Sequence, residues 1–277
     1  MKEPLFFAID IDGTLLNSRQ TVDEPTWAAI QRAMHEGHYV SLATGRMAKS
    51  ALVWARYLQI NAPVVTQNGA EIIDAQTGAI LWCTPLAKEP LLKLIHLAEN
   101  ADLTYRLFGH DYIVCATDHF EHLKPFLHTY YKGTVVLSED DVPKYLERPP
   151  EAILKATVGC HSERELLEVY QELKSWNAFE LSRTPDMEIE ITQHGVNKLS
   201  GIQRVIRDLK LSLEHVVAIG NGENDLEMLR HVGVGYAMAN AEPVVLQSIS
   251  LRTASNDESG VAKAIEHELG KRGVKFA

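Results

Sequence analysis

A short apolar segment near the start of the chain ends abruptly in two acidic residues and a glycine. Residues Phe6 to Ile9 form a continuous run of aromatic and aliphatic side chains, which is typical of a buried strand. Asp10 and Asp12 follow directly, and then Gly13. Side chains alternate along a strand, so both carboxylates face the same side if the extended geometry persists. Two like charges this close require a cation, a shared proton or a ligand between them, which favours a metal-assisted carboxylate site.

Two other interpretations fit part of this motif. A turn that closes the strand, with Gly13 at positive φ, would explain the acids without any chemistry. A calcium-binding loop also begins Asp-x-Asp, but it needs Asp or Asn at its fifth position and Gly at its sixth. Here Gly13 is fourth and Thr14 is fifth, so the calcium loop is excluded. The turn stays open from these residues alone.

The rest of the chain divides into two kinds of pattern. Strand and helix patterns alternate in residues 1–84 and again from Gly195 onwards, which predicts parallel strands joined by right-handed crossovers. Between these two parts, paired strands and helices indicate an α+β insertion that is mostly antiparallel. We therefore predict an α/β protein with a Rossmann-like parallel-sheet core, residues 1–84 and 193–277, and an inserted α+β cap, residues 85–192.

Composition restricts the classes of partner. The chain has 277 residues, of which 45% are hydrophobic, and a net charge of −10. This charge disfavours a surface for nucleic acid or anionic membrane. No apolar run is long enough to span a bilayer, and the first apolar run is too short for a signal peptide. We expect a cytoplasmic protein that binds neither nucleic acid nor membrane; the sequence sets no oligomeric state, and a monomer is compatible with it.

Cysteine and histidine spacing offers no strong metal site. The three cysteines are far apart and odd in number, so they indicate neither a disulfide framework nor a zinc site, and a reducing compartment is expected. His119 and His122 are three residues apart, with His128 beyond, which is a weak metal-binding pattern. It lacks the Cys or carboxylate partners that a zinc site needs, so surface histidines are the favoured interpretation.

A second acidic loop, Gly220–Asp225, follows a predicted strand and opens a helix. It begins Gly220-Asn221-Gly222. This is part of the dinucleotide motif G-x-G-x-x-G, but Asp225 stands where the third glycine belongs. A pyrophosphate would meet the carboxylates of Glu223 and Asp225, which argues against a nucleotide cofactor. The acids either complement the helix dipole or hold a cation against the first acidic loop.

Loops that follow parallel strands meet at one edge of a sheet. Carboxylate oxygens there suit Mg²⁺, while a threonine hydroxyl, a lysine and backbone amides suit phosphate oxygens. Each residue alone has an ordinary structural explanation, such as helix capping or a solvated lysine. Their joint placement favours a phosphate site assisted by magnesium. The set is Asp10, Asp12, Thr44, Lys198, Asn221, Asn224 and Asp225.

The chain resembles the haloacid dehalogenase superfamily of phosphatases, in its Cof-type branch, class IIB, with a large α+β cap. Four motifs occur in the family's order, and three further segments are typical of the branch. The motifs are Asp10–Thr14, Ala43–Arg46, Gly195–Lys198 and Gly220–Asp225; the segments are Asn68–Ala70, Ala237–Ala241 and Asn256–Ala262. The resemblance covers nearly the whole chain.

This resemblance implies a Mg²⁺-dependent phosphatase that acts on small phosphorylated metabolites, sugar phosphates above all, through an aspartyl-phosphate. Asp10 would be the nucleophile and Asp12 the acid and base. The implied catalytic residues are Asp10, Asp12 and Lys198. The implied phosphate-binding residues are Ile11, Thr44, Gly45, Arg46, Lys198 and Asn224. The implied metal-binding residues are Asp10, Asp12, Asn221 and Asp225.

One residue departs from the family pattern. Asn221 stands where the family usually has an aspartate that binds magnesium, so we expect weaker Mg²⁺ binding. The departure leaves open a phosphometabolite-binding or regulatory protein that has lost turnover, and a phosphomutase shares the same nucleophile chemistry. In the cap, Arg183, Asp186 and Glu188 are candidates for selecting the substrate, although a polar strand edge is the favoured explanation for them.

Overall fold

The computed structural model describes residues 3–115 and 153–273. Strands and helices alternate at both ends of this range, as the sequence pattern predicts. In chain order the elements are β1 (Phe6–Ile9), α1 (Glu24–His35), β2 (Tyr39–Leu42), α2 (Ala48–Tyr57), β3 (Val64–Thr66), β4 (Glu71–Ile73), β5 (Ile80–Cys83), α3 (Lys88–Asn100), β6 (Thr104–Phe108), β7 (Ile113–Cys115), β8 (Lys155–Gly159), α4 (Glu163–Ser175), β9 (Phe179–Arg183), β10 (Glu188–Gln193), α5 (Lys198–Asp208), β11 (Val216–Gly220), α6 (Leu226–His231), β12 (Val234–Ala237), α7 (Pro243–Ser248) and α8 (Gly260–Gly273).

The core is a parallel sheet with strand order β12-β11-β1-β2. At its centre, Ile9 of β1 lies opposite Ile219 on one side and Leu42 on the other. A parallel bridge between Ala43 and Val65 continues the sheet to β3. All four residues of β1 are buried, because a central parallel strand is covered on both faces. The carboxyl ends of β1, β2, β3 and β11 therefore open on the same edge.

The cap is a separate antiparallel sheet with strand order β7-β6-β8-β10-β9. Most of its buried hydrophobic side chains in the described residues, from Leu86 to Ile191, form a hydrophobic cluster distinct from the core cluster. A third, small sheet joins β3, β4 and β5; the segment Gln76-Thr77-Gly78, which is typical of a hairpin turn, lies between β4 and β5. The predicted α/β class, a parallel core with an α+β insertion, is confirmed.

Some predicted elements differ from the structure. The sequence pattern predicts a last strand near Ile249–Thr253, but the structure has a single bridge there, between Ala237 and Arg252. This segment lies at the outer edge of the sheet, where β12 is its one neighbour, and Leu251 is exposed. The weak histidine pattern at 119, 122 and 128 lies outside the described residues. Within the described ranges, no helix combines the length and apolar character that crossing a bilayer requires.

Candidate active site

Asp10 lies where β1 ends, at the centre of the core sheet. Its side chain is buried, and its backbone N–H donates to the carbonyl oxygen of Ile219 at 3.0 Å, which continues the parallel pairing. The chain then turns sharply through residues Ile11–Leu15. Gly13 has a φ of 72° in this turn, a conformation that other residues adopt only under strain. The turn leaves the Asp12 side chain 56% exposed, so the two carboxylates differ in environment.

Lys198 connects the first and second acidic loops. Its Nζ lies 2.7 Å from Asp10 Oδ1 and 2.6 Å from Asp225 Oδ1. The other oxygen of Asp225 accepts hydrogen bonds from the backbone N–H groups of Asn221 and Gly222, at 2.8 and 2.9 Å. The Lys198 side chain is 1% exposed, so this is a desolvated ion network. It holds β1, β11 and the first turn of α5 in a fixed relation.

Burial and the neighbouring charges shift the pKa values of both Asp10 and Lys198. Burial and the neighbouring carboxylates of Asp225 and Asp12 raise the pKa of Asp10 to about 7, although Lys198 opposes the shift. Burial alone would lower the pKa of Lys198, but the adjoining Asp10 and Asp225 carboxylates raise it above its usual value. Lys198 therefore stays protonated at neutral pH, but this one buried lysine faces two buried carboxyl groups, those of Asp10 and Asp225. A bound cation would relieve this imbalance.

The oxygens around Asn221 fit a magnesium ion. In the orientation that gives its amide NH₂ acceptors, this group donates to Asp12 O at 2.7 Å, Asp10 Oδ2 at 3.2 Å and Thr14 Oγ1 at 2.7 Å. A carbonyl and a carboxylate oxygen thus converge on one point, and both are hard donors that suit Mg²⁺. Among the described residues no group of three His, Cys, Asp or Glu side chains is arranged for a metal. A cation here would therefore be held by the Asp10 carboxylate together with the Asp12 backbone carbonyl and the Asn221 amide oxygen.

A cavity of about 480 Å³ opens between this edge of the core and the cap. The structure brings Asp10, Asp12, Thr44, Gly45, Arg46, Asn221 and Asn224 into its lining. Lys198 and Asp225 are not among the lining residues, because Lys198 lies behind Asp10 and Asp225 is fully buried. Ile11 is also buried, so its backbone is the part that could contact a ligand. The candidate residues therefore form one site, in which most line the cavity and Lys198, Asp225 and Ile11 are buried next to it.

Arg46 takes a position that the sequence did not suggest. Its Nε lies 2.7 Å from Asp12 Oδ2, and its Nη2 lies 2.6 Å from Asp12 Oδ1. A third nitrogen, Nη1, donates to Ser50 Oγ at 3.1 Å. Two parallel hydrogen bonds of this kind fix the orientation of a carboxylate as well as its charge. In this structure Arg46 therefore restrains Asp12.

The cap supplies one wall of the cavity. Arg183 and Asp186, two of the three cap candidates, lie in this wall, and Arg183 Nε also donates to Glu223 Oε2 at 2.9 Å. Glu188, the third candidate, pairs with Arg106 and does not line the cavity. Glu188 and Glu190 share a face of β10, but Glu188 is two residues farther from the core edge, about 7 Å along the strand.

Two cap residues that sequence reasoning missed lie in the same wall. Lys155 Nζ lies 2.7 Å from Glu190 Oε1 and 2.8 Å from the carbonyl oxygen of Gly45. The other oxygen of Glu190 accepts hydrogen bonds from Asn68 Nδ2 at 2.8 Å and Asn224 Nδ2 at 3.2 Å. The alternation in Glu188–Ile191 indicated a polar face on this strand. It did not indicate that this face meets the core.

Comparison with known proteins identifies the family of this chain. The family model for haloacid dehalogenase-like hydrolases matches residues 7–265. The chain belongs to this family. A Bacillus subtilis relative, 5-amino-6-(5-phospho-D-ribitylamino)uracil phosphatase YitU, is 29% identical over 95% of this chain and 97% of its own length. A second B. subtilis phosphatase named for the same compound, YcsE, is 28% identical over 94% of each chain.

Solved structures show the same fold. A haloacid dehalogenase-like hydrolase from B. subtilis superposes with a TM-score of 0.84 at 23% identity, over 95% of this chain and 99% of the other. A sugar phosphatase of the family's subclass IIB gives 0.80 at 24% identity, over 96% and 99%. The resemblance found in the sequence is confirmed, and so is the enzyme class, a phosphatase of the haloacid dehalogenase family.

Proposed function

We propose that this haloacid dehalogenase-family protein is a Mg²⁺-dependent phosphatase of small phosphate monoesters, with Asp10 as the nucleophile. The observation that carries the proposal is the buried contact of Lys198 with both Asp10 and Asp225, at the edge of a cavity that also contains Asp12. Lys198 holds the carboxylate of Asp10 in place and lies where it can stabilise negative charge that develops on a phosphoryl group. The division into a core, residues 1–84 and 193–277, and a cap, residues 85–192, belongs to the same proposal.

The proposed reaction has two steps. A carboxylate oxygen of Asp10 attacks phosphorus, the ester P–O bond breaks, and the Asp12 carboxyl gives its proton to the leaving alcohol. In the second step Asp12 takes a proton from water as that water attacks the phosphorus of the aspartyl-phosphate. The P–O bond to Asp10 breaks, which releases inorganic phosphate and restores both side chains. Thr44, the Gly45 amide and Asn224 would hold the phosphoryl oxygens, since they line the cavity beside Asp10.

The metal would be held by Asp10, the backbone carbonyl of Asp12 and the Asn221 side chain, with Asp225 supporting the loop through the Asn221 and Gly222 amides. For this, the Asn221 amide must turn its oxygen towards the ion. When bound, Mg²⁺ would supply charge neutralisation between the Asp10 carboxylate and the phosphoryl oxygens. The excess of carboxylates in the site supports this assignment.

Similarity to characterised relatives supports the substrate class. The two B. subtilis relatives are named for a compound that carries its phosphate on a ribityl chain, and one structural neighbour is titled a sugar phosphatase. We propose a phosphorylated sugar or polyol as the substrate of this chain. The three free cysteines support action in the cytoplasm as part of the same proposal.

The proposal is tested by phosphate release from p-nitrophenyl phosphate and a panel of sugar phosphates, with Mg²⁺ and with a chelator. The matched control is Asp10→Asn, which keeps the size of the side chain and removes the nucleophile. We expect turnover that requires metal and disappears in the variant. If the wild type shows no turnover and Asn221→Asp restores it, the chain is a phosphometabolite-binding protein instead. Transfer of phosphate to a second sugar rather than to water would indicate a phosphomutase.

A further inference from the structure

Negatively charged side chains outnumber positively charged ones in the lining of the cavity. Each cation that lines it within the described residues already contacts a carboxylate: Arg46 contacts Asp12, Lys155 contacts Glu190, and Arg183 contacts Glu223. Carboxylates in the same lining outnumber these cations; they are Asp10, Asp12, Asp186, Glu190 and Glu242. A second anionic group on a substrate would therefore meet net negative charge. In a partly desolvated cavity such like-charge contacts are costly.

The Lys155–Glu190 pair is the most deeply placed of these charges on the cap side. Their side chains are 6% and 13% exposed, and they stand on neighbouring antiparallel strands, β8 and β10. Lys155 also donates to the Gly45 carbonyl, which puts the pair next to the loop assigned to the phosphoryl group. An ammonium group has three hydrogens, and two of them are used in these contacts. Lys155 lines the cavity, with the centre of the Phe108 ring 4.8 Å from its Nζ, and a ligand oxygen there can accept the third hydrogen.

We propose that Lys155 and Glu190 bind the leaving group and restrict it to an uncharged, hydroxyl-bearing one, such as a polyol or sugar. A hydroxyl can accept a hydrogen bond from Lys155 and donate one to Glu190, so it can add a favourable contact with both members of the pair. A carboxylate or second phosphate can only accept, and it would lie against Glu190 and Asp186. The inference rests on the proposed function, because it assumes that the phosphoryl end binds at Asp10.

Two esters that differ in one group test the proposal. Sorbitol 6-phosphate and 6-phosphogluconate share their carbon chain and phosphate position, but the first ends in CH₂OH where the second ends in a carboxylate. We expect the wild-type kcat/KM to favour sorbitol 6-phosphate by about tenfold, the effect of ~1.4 kcal/mol. Glu190→Gln removes the charge and keeps the shape, so the preference should shrink to about threefold or less through KM. Glu188→Gln, on the same face but outside the cavity, should leave the preference unchanged.

Several outcomes would overturn the inference. Equal kcat/KM for the two esters, or an unchanged preference in Glu190→Gln, would remove the basis for selection by this pair. A higher kcat/KM for glucosamine 6-phosphate than for glucose 6-phosphate would indicate that the pair binds an ammonium group instead. Hydrolysis of p-nitrophenyl phosphate, which has no hydroxyl on its leaving group, reports the chemistry separately. If no ester is hydrolysed, the proposed function fails, and calorimetric Kd values for the two esters decide the inference.

Discussion

The Arg46 guanidinium contacts both carboxylate oxygens of Asp12, with Nε 2.7 Å from Oδ2 and Nη2 2.6 Å from Oδ1. The Asp12 side chain is more than half exposed, so without this contact it would be free to rotate into solvent. In the proposed reaction Asp12 must give a proton to the leaving alcohol from a defined position. Family resemblance assigns Arg46 to the phosphate. The observed contact indicates instead that Arg46 acts by orienting the Asp12 carboxylate.

Replacing Arg46 with lysine should therefore lower kcat and leave KM nearly unchanged. Lysine keeps the positive charge but cannot make two parallel contacts with one carboxylate. We expect kcat on a sugar phosphate to fall by about tenfold, a fraction of the 10²–10⁴ that acid–base catalysis contributes. The nitrophenolate leaving group needs no proton, so kcat on p-nitrophenyl phosphate should fall less. Steady-state kinetics on the two esters measure both effects. Equal losses on both, with a raised KM, would place Arg46 on the phosphate instead.

Asn221→Asp should tighten Mg²⁺ binding. The amide that it replaces lies within hydrogen-bond distance of Asp10 Oδ2 and the Asp12 carbonyl, so the new carboxylate would add a charged ligand at the point where they converge. We expect the Kd for Mg²⁺ to fall by about tenfold, or ~1.4 kcal/mol. In a chelator the same variant should have a lower Tm than the wild type, because another carboxylate then faces Asp10 without a cation.

Calorimetric titration with Mg²⁺ and thermal unfolding measure these two effects. A suitable control is Asn240→Asp. The Asn240 side chain donates to the carbonyl oxygen of Gly13, which lies in the loop after Asp10, but it makes no hydrogen bond to Asp10 itself. Equal Mg²⁺ affinities in the wild type and Asn221→Asp would show that position 221 does not bind the metal.

Lys198→Met should destabilise the fold as well as abolish activity. The variant leaves the carboxylates of Asp10 and Asp225 buried beside one another without their shared cation. Removing one member of a buried ion network costs about 3–5 kcal/mol. Urea unfolding in the presence of a chelator should show a loss of this size. The double variant Lys198→Met/Asp225→Asn removes a carboxylate as well, so it should recover part of the loss. A single-variant loss below about 1 kcal/mol, the range of an exposed pair, would mean that the network is not desolvated.

Asp23 gives a pH-dependent prediction away from the active site. It precedes α1, and its carboxylate accepts hydrogen bonds from Thr26 N at 2.9 Å and Ser259 Oγ at 2.7 Å. Partial burial works to raise the pKa of Asp23, but the hydrogen bonds from Ser259 and Thr26 lower it below its usual value of 3.8. A lowered pKa in the folded state means that the carboxylate stabilises the protein above pH 3.8. This contribution is lost as the pH falls through the folded-state pKa.

Asp23→Ala should therefore destabilise the protein at neutral pH by about 1 kcal/mol, the usual effect of losing a helix cap. The difference from the wild type should shrink as the pH falls below 3.8. Asp23→Asn keeps an acceptor for Thr26 and should lose much less at neutral pH. Denaturant unfolding across the acid range measures all three proteins. A difference that is independent of pH would mean that the ionised carboxylate contributes nothing.

How far the sequence predicts the site depends on where each residue lies. Asp10 and Asn221 each follow a buried strand, and Lys198 opens a helix, so the meeting of strand ends at one edge was enough to bring them together. Lys155 and Glu190 lie inside cap strands, where alternation predicts a polar face but not its partner. Their contacts with Gly45 and Asn224 arise from the packing of one sheet against another, which no local pattern encodes.

Element boundaries show the same limit. The sequence pattern predicts a helix over Val196–Leu209, but the helix begins at Lys198. The Asn197 side chain accepts a hydrogen bond from the Ser200 N–H, and the Ser200 hydroxyl accepts one from the Asn197 N–H. This capping box fixes the first turn and with it the position of the lysine. A periodic pattern locates a helix to within a few residues, whereas the side-chain contact at its first turn decides the residue at which it starts.

The central position of β1 has a consequence for the order in which the protein becomes active during synthesis. One side of β1 pairs with β2, which is made soon afterwards, but its other side pairs with β11, at Val216–Gly220. Asp10 likewise gains its network with Lys198 and Asp225 only after those later residues have been synthesised. The cap has its own hydrophobic cluster and can fold while this side of β1 is still open. On a ribosome Asp10, the proposed nucleophile, would therefore emerge early in synthesis and gain its partners late.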